Sequence, residues 1–430
     1  MTVAQETPTL DNAAMLNSQF QLQRTEYLAA PNPDYQQRKQ DLQNLKRMLS
    51  ENMDAIIDAI SADYGNRSRH ETQFAEIIAV TDGINDAIKH LKGWMKVQKR
   101  HVDIMMFPGA KNRVIPQPLG VVGMIVPWNF PINLSFMPLA SAFAAGNRAM
   151  VKMSENSINL TRLLMELSPK YFPVDKLRFF EETGGVGVEF SKIPFDLIVF
   201  TGSGQTGKSV MASAAQNLTP VVLELGGKAP AVIDPNYNLK KATERIMFVK
   251  QFNAGQICTN VDYVFVHESQ REEFIEHTRA YVAKHCPNIE HTDYTSVIDD
   301  RSMKRLADTL ADDLLRPYAN HLAGGGDETI AGESRTSDDG ANGAKEKVGE
   351  GPNGGGGNGD KGIKSCTRSD LAKLYPVASL LLPEMAMELI ERRKESLEPT
   401  EMNNADGGDN TAGYSSEEGE ALVPIKGGED

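Results

Sequence analysis

The sequence predicts an α/β protein built on a doubly wound parallel sheet, and three observations carry that prediction. Between residues 121 and 285, short apolar runs alternate with stretches of helical period. The first run, Val121-Val122-Gly123-Met124-Ile125-Val126, is continuously apolar, as a strand buried on both faces is. The chain has 430 residues, enough for two to three domains of roughly 100–200 residues each, so no disulfide or metal staple is needed to explain folding.

Residues 1–34 read as a loosely held arm ending in the turn chemistry of Ala30-Pro31-Asn32-Pro33-Asp34. From residue 35 the period is helical. Leu42, Leu45, Leu49, Met53, Ile56, Ile57 and Ile60 form one apolar stripe, which predicts a helix running to Tyr64-Gly65. A second helical stretch covers 71–97, and 102–114 reads as strand material turned at Pro108-Gly109. Strands follow at 121–126, 149–152, 196–200 and 221–223, with helices at 136–145, 160–171 and 207–215. A second α/β unit is predicted from strands at 229–232 and 261–267 and helices at 239–252 and 270–285.

Charge and composition divide the chain near residue 318. Residues 319–430 hold 22 acidic and 11 basic side chains of the chain's 58 and 45, and all 16 Phe lie at or before Phe274. The Gly-rich, mixed-charge stretch 319–368 buries too little apolar surface to offset the entropy of ordering it, and is expected to be disordered. A short amphipathic helix is expected at 384–397 within this acidic tail.

Several functions drop out. No run reaches the roughly 18–20 apolar residues of a membrane span, and the polar N-terminus lacks the regions of a signal peptide. Cys258, Cys286 and Cys366 make no disulfide framework, which suits a reducing, cytoplasmic setting. Eight His without ligand spacing predict no metal site, and an acidic chain without a basic stripe offers nucleic acid little.

Candidate chemistry gathers where strands end. Gly202-Ser203-Gly204-Gln205-Thr206-Gly207 satisfies G-x-G-x-x-G, and with Lys208-Ser209 it also satisfies a phosphate-cradling P-loop. Ala231-Val232-Ile233-Asp234 passes for the magnesium-binding strand that a P-loop NTPase needs, so these letters alone leave two enzymes open. Val126-Pro127-Trp128-Asn129 closes the first strand, at the sheet edge where α/β proteins bind ligands. There Asn129 offers an amide N–H to a developing oxyanion, or simply caps its own turn. Lys152-Met153-Ser154-Glu155 closes the next strand, with Lys152 and Glu155 within reach of ribose hydroxyls. Glu224 and Leu225 close the strand at 221–223, and Cys258 sits in Gly255-Gln256-Ile257-Cys258. A lone Cys is most often an inert core residue, and a Glu closing a strand is most often solvated.

Taken together, Pro127-Trp128-Asn129-Phe130-Pro131, Lys152-Met153-Ser154-Glu155, Phe200-Thr201-Gly202-Ser203 with Gly207, Leu223-Glu224-Leu225-Gly226-Gly227-Lys228 and Gly255-Gln256-Ile257-Cys258 resemble an NAD(P)-dependent aldehyde dehydrogenase. The resemblance runs from about 38 to 310, places Cys258 34 positions after Glu224 as in the family, and is most similar to the branch acting on coniferyl and other aromatic or aliphatic aldehydes. It implies a Rossmann-like cofactor domain over 1–225, a catalytic domain over 226–318 and an oligomerisation hairpin near 98–120, hence a homodimer. It implies that Cys258 attacks the aldehyde, that Asn129 holds the oxyanion, that hydride passes to the nicotinamide, and that Glu224 activates the water that releases the acid. Val126, Pro127, Trp128, Lys152, Ser154, Glu155, Gly202, Ser203, Gly204, Gly207 and Leu225 would hold the cofactor. Glu155 beside the adenosine ribose would favour NAD over NADP. The P-loop reading leaves the other four motifs unexplained.

The sequence departs from the family in its C-terminal region, beyond about residue 318. The family's Glu-x-Phe-Gly-Pro cofactor motif is absent, since no Phe follows Phe274. The expectation is an incomplete catalytic domain, with turnover impaired by the C-terminal region. A non-catalytic dinucleotide-binding or interaction protein is the alternative, and the reactivity of Cys258 separates the two.

Overall fold

A computed structural model of the chain describes residues 12–288, 293–309 and 311. The expectations for 1–11, for the tail at 319–368 and 384–397, and for Cys366 lie outside the described residues. The described residues up to Lys304 fall within one compact unit, and those from Arg305 on fall within a second.

Helix α1 (Asn12–Ala29) corrects the reading of 1–34 as a loose arm. Leu16 and Phe20 are buried, Phe20 packs edge-on against Phe195, and the buried Gln23 donates from Nε2 to the Ala149 carbonyl at 3.0 Å. Its anchor side is short and partly polar, so helical period alone does not reveal it.

Helix α2 (Tyr35–Ser50) starts at Asp34, whose carboxylate accepts the Gln37 N–H at 2.9 Å. The single helix expected from 35 to 64 is two, because the chain breaks at Glu51-Asn52 before α3 (Met53–Tyr64). Both halves bury one core, so the apolar stripe runs through the break and hides it. Helix α4 (Arg69–Thr72), a π-helical turn (Gln73–Ile78) and α5 (Ala79–Trp94) occupy the second helical stretch. Strands β1 (Gln98–Arg100) and β2 (Asn112–Val114) pair antiparallel, so the strand expected at 102–114 shrinks to one arm of a hairpin.

The doubly wound sheet follows: β3 (Val121–Ile125), α6 (Asn133–Ala145), β4 (Arg148–Lys152), α7 (Ile158–Tyr171), β5 (Leu177–Phe180), α8 (Val186–Ser191), β6 (Leu197–Gly202), α9 (Gly204–Ala215) and β7 (Val221–Leu225). The elements β5 and α8 escape sequence reading, being only 4 and 6 residues long. The strand order is β5-β4-β3-β6-β7, all parallel, so the winding direction reverses between β3 and β6. Successive residues of β3 face opposite cores. Val122 and Met124 face the core of α2, α3, α5, α6 and α7, whereas Val121 and Ile125 face that of α1, α8 and α9. This explains the continuously apolar run. Beyond the sheet, β8 (Ala229–Val232) and β9 (Val261–Phe265) pair parallel, with α10 (Leu239–Gln251) and α11 (Arg271–His285) alongside. Among the described residues, no helix is long and apolar enough to cross a membrane.

Candidate active site

The carboxyl edge of the large sheet gathers most of the predicted residues. Val126, buried at the end of β3, donates its N–H to the Lys152 carbonyl at 2.9 Å, tying the two strand exits together. Pro127 and Trp128 follow, with the Trp128 ring edge-on to Tyr64. Asn129 caps its own turn, the plainer of the two sequence readings, and also bridges to the cysteine loop. Its Oδ1 accepts the Phe130 N–H at 3.1 Å, and its Nδ2 donates to the Gln256 carbonyl at 3.2 Å, two residues before Cys258.

The loop carrying Cys258 has an unusual backbone. Asn253 and Ala254 both have φ of 52° and Gly255 has φ of 80°, three successive residues in the left-handed region. Left-handed backbone costs an L-residue roughly 1–2 kcal/mol, so neighbouring contacts must over-determine it. They do. The buried Asn253 side chain donates to the carbonyls of Asn129 and Gln256 and to the Tyr64 hydroxyl at 3.1–3.4 Å, while its N–H reaches Glu71 Oε2 at 3.1 Å. The Gln256 side chain donates to the Asn253 and Ser296 carbonyls and accepts the Ile298 N–H, at 2.9–3.0 Å.

Beneath this loop lies a buried ion pair that sequence reading missed. Arg67 Nη1 meets Glu76 Oε1 at 3.0 Å with both side chains fully buried, and Glu76 Oε2 accepts the Asn133 N–H at 2.7 Å at the start of α6. The guanidinium carbon lies 5.0 Å from the ring centroids of both Tyr64 and Phe130. Burial pushes the Glu76 and Glu71 carboxyls above their ordinary value, and pushes the Tyr64 hydroxyl up to about 12. Glu76 lies in the π-helical turn and is buried in step with Thr72 and Val80, but no local signal in the sequence reveals its partner Arg67.

Glu224 stands in β7 opposite Thr201 of β6, exposed, and Cys258 is exposed as a free thiol. Among the described residues, no hydrogen bond or ion pair joins the two. The strand exit after Glu224 does approach the cysteine loop, since a Cβ on Gly227 would lie 3.8 Å from the Cys258 carbonyl oxygen.

The glycine motif resolves against the P-loop. Only Ser203 separates β6 from α9, so Gly204 and Gly207 are already helical and no extended phosphate-wrapping loop exists. Asp234 of the supposed magnesium strand follows β8, which lies outside the five-stranded sheet. Ser203 caps α9, its Oγ accepting the Thr206 N–H at 3.2 Å. Gly207 admits close packing, because a Cβ there would lie 3.1 Å from Leu225, and one on Gly202 would strike the Phe200 ring at 2.7 Å. The start of α9 thus lies at the carboxyl edge, beside the reversal of strand order, where dinucleotide phosphates bind.

Lys152, Ser154 and Glu155 supply the groups a ribose needs, but Lys152 is already engaged. Its Nζ lies 2.6 Å from Glu182 Oε2 and 4.0 Å from Glu155 Oε2. Ser154 is buried, and its Oγ caps the turn at the Asn156 N–H. Cation, carboxylates and a helix start at one strand edge fit a dinucleotide. Glu182 closes the unpredicted β5, so its place here was not visible in the sequence.

Comparison with known proteins decides the family. The profile of the aldehyde dehydrogenase family matches residues 14–336. This chain belongs to the aldehyde dehydrogenase family. The match extends beyond the 38–310 spanned by the sequence motifs, at the N-terminus through α1. The chain is 46% identical over 298 residues to a probable coniferyl aldehyde dehydrogenase of Pseudomonas aeruginosa, covering 69% of this chain and 62% of that protein. It is 45% identical over 266 residues to a coniferyl aldehyde dehydrogenase of another Pseudomonas, covering 62% of this chain and 55% of that protein. A solved substrate-bound Staphylococcus aureus AldH superposes with a TM-score of 0.66 at 32% identity, covering 69% of this chain and 65% of that one. The chain therefore spans less than two thirds of the length of these aldehyde dehydrogenase relatives.

Proposed function

We propose that this chain is an NAD-dependent oxidoreductase that converts an aldehyde to its carboxylic acid through Cys258. The observation that carries the proposal is the hydrogen bond from the Asn129 amide to the Gln256 carbonyl, which holds an oxyanion donor against the loop of an exposed thiol. In this reading the Cys258 thiolate adds to the aldehyde carbon while Asn129 Nδ2 and the Cys258 N–H donate to the developing oxygen anion. NAD(P), when bound, supplies the hydride acceptor. Loss of a hydride turns the Cys258 thiohemiacetal into a thioester; Glu224 then takes a proton from water, the water oxygen adds to the thioester carbon, and the carbon–sulfur bond breaks to release the acid and the Cys258 thiolate. Val126, Pro127, Trp128, Ser203, Gly202, Gly204, Gly207 and Leu225 line the cofactor side, and Lys152, Ser154 and Glu155 face the adenosine ribose. The names of the Pseudomonas relatives support an aromatic substrate such as coniferyl aldehyde.

The test is nicotinamide reduction with stoichiometric protein, NAD and a panel of aromatic and aliphatic aldehydes. The expected result is a burst near one equivalent that is largest with aromatic aldehydes and vanishes in Cys258→Ser. NAD binding without a burst would reject the enzyme reading in favour of a dinucleotide-binding protein. We also infer a homodimer formed through the β1–β2 hairpin. Its connecting residues Ile104, Met105, Met106 and Phe107 are 62–91% exposed, an apolar tip unusual for a free surface.

A further inference from the structure

The charges at the ends of β4 and β5 bear on which dinucleotide is taken. Lys152 is held between two carboxylates, tightly by Glu182 at 2.6 Å and loosely by Glu155 at 4.0 Å. Its side chain is only 9% exposed and that of Glu182 17%, so water screens this contact weakly, whereas Glu155 is 42% exposed. The Glu182 carboxylate is fixed from its other side by the N–H groups of Gly185 at 3.0 Å and Gly187 at 2.9 Å. The backbone also closes over the pair, since a Cβ on Gly187 would lie 2.9 Å from Glu182 Oε2 and 3.2 Å from Lys152 Nζ. One cation and two carboxylates leave the cluster with a net negative charge.

We infer that Glu182 is a specificity-determining residue for the dinucleotide, holding Lys152 so that the ammonium is withheld from an adenosine 2′-phosphate. The inference rests on the reading of this strand edge as the dinucleotide site. An NADP 2′-phosphate needs a cation free to pair with it. Lys152 can offer a 2′-phosphate only a charge already neutralised by Glu182, and the phosphate would face Glu182 and Glu155 together. The two hydroxyls of NAD make no such demand and can accept from Lys152 or donate to Glu155.

The experiment is direct binding of NAD and NADP by titration calorimetry to the full chain, to Glu182→Gln and to Lys152→Ala. Glutamine removes the charge and keeps an acceptor oxygen for one of the two glycine N–H groups, since Gly185 donates to Oε1 and Gly187 to Oε2. The expected result is a shift of the NADP-to-NAD affinity ratio toward NADP by about tenfold in Glu182→Gln, the scale of removing one nearby charge at a partly shielded site. An unchanged ratio, with NAD binding intact and weakened by Lys152→Ala, overturns the inference and leaves the site reading standing. Binding of neither dinucleotide to the unaltered chain overturns the site reading itself. Should Glu182→Gln fail to fold, Gly187→Ala decides, because its Cβ would displace Glu182 Oε2 and crowd Lys152 Nζ, and should move the ratio the same way. An unmoved ratio there counts equally against the inference.

Discussion

Asn253 and Ala254 show how one short turn determines where Cys258 sits. Asn tolerates left-handed backbone better than other L-residues and has a side chain able to bond locally, and here it holds three acceptors. Ala254 has no such compensation. Ala254→Gly should therefore stabilise the fold by about 1 kcal/mol, seen as a higher urea midpoint at unchanged slope. A lower midpoint would mean that the turn is not left-handed in solution. The letters of this segment carry the resemblance that singles out Cys258, but not the backbone that presents it. Nothing in Asn-Ala-Gly-Gln dictates three positive φ values until Tyr64, Asn129 and Glu71 are placed around it.

Among the elements, β5 and the π-helical turn bring in the buried and half-buried charges around the site, and both were invisible to pattern reading. Burial alone would raise the Glu182 carboxyl, but the Lys152 charge and hydrogen bond, with the Gly187 and Gly185 N–H groups, hold it below its ordinary value of 4.5. A depressed folded value means the ion pair stabilises above the unfolded value, and that contribution is lost as pH falls through the folded one. Glu71 and Glu76 carry the opposite sign, since burial raises them and stability falls as pH rises from about 4.5 through their folded values. Glu182→Gln should remove only the first effect. The gap in urea midpoint between Glu182→Gln and the unaltered chain should then be full at pH 7 and narrow as pH falls below 4.5. A difference that stays constant with pH would show that Glu182 is not ionised against Lys152.

At the scale of the molecule, the described residues present a doubly wound sheet with both faces covered and a smaller parallel pair whose outer side chains are not. Val232 is 76% exposed, Phe265 58% and Phe248 56%, alongside the apolar hairpin tip. Surface of this kind favours association. Sedimentation should show a dimer at micromolar concentration that dissociates in the double variant Met105→Asp, Phe107→Asp. A monomer in the unaltered chain, or a dimer indifferent to that variant, would reject the hairpin as the contact.

The strand–helix alternation, the parallel sheet and the strand-end motifs that hold Asn129, Glu224 and Cys258 were legible in the sequence. Each of these rests on local period or on residue identity at a strand end, and both are properties of contiguous sequence. Tertiary structure decided the rest: that 12–29 is a docked helix, that Gly204 and Gly207 lie within a helix instead of wrapping a phosphate, and that Glu76 and Glu182 reach the site from π-helical and unpredicted segments. Those outcomes depend on partners distant in sequence. Glu71 to Thr295 and Gln23 to Ala149 are contacts across most of the unit, and no local pattern encodes them.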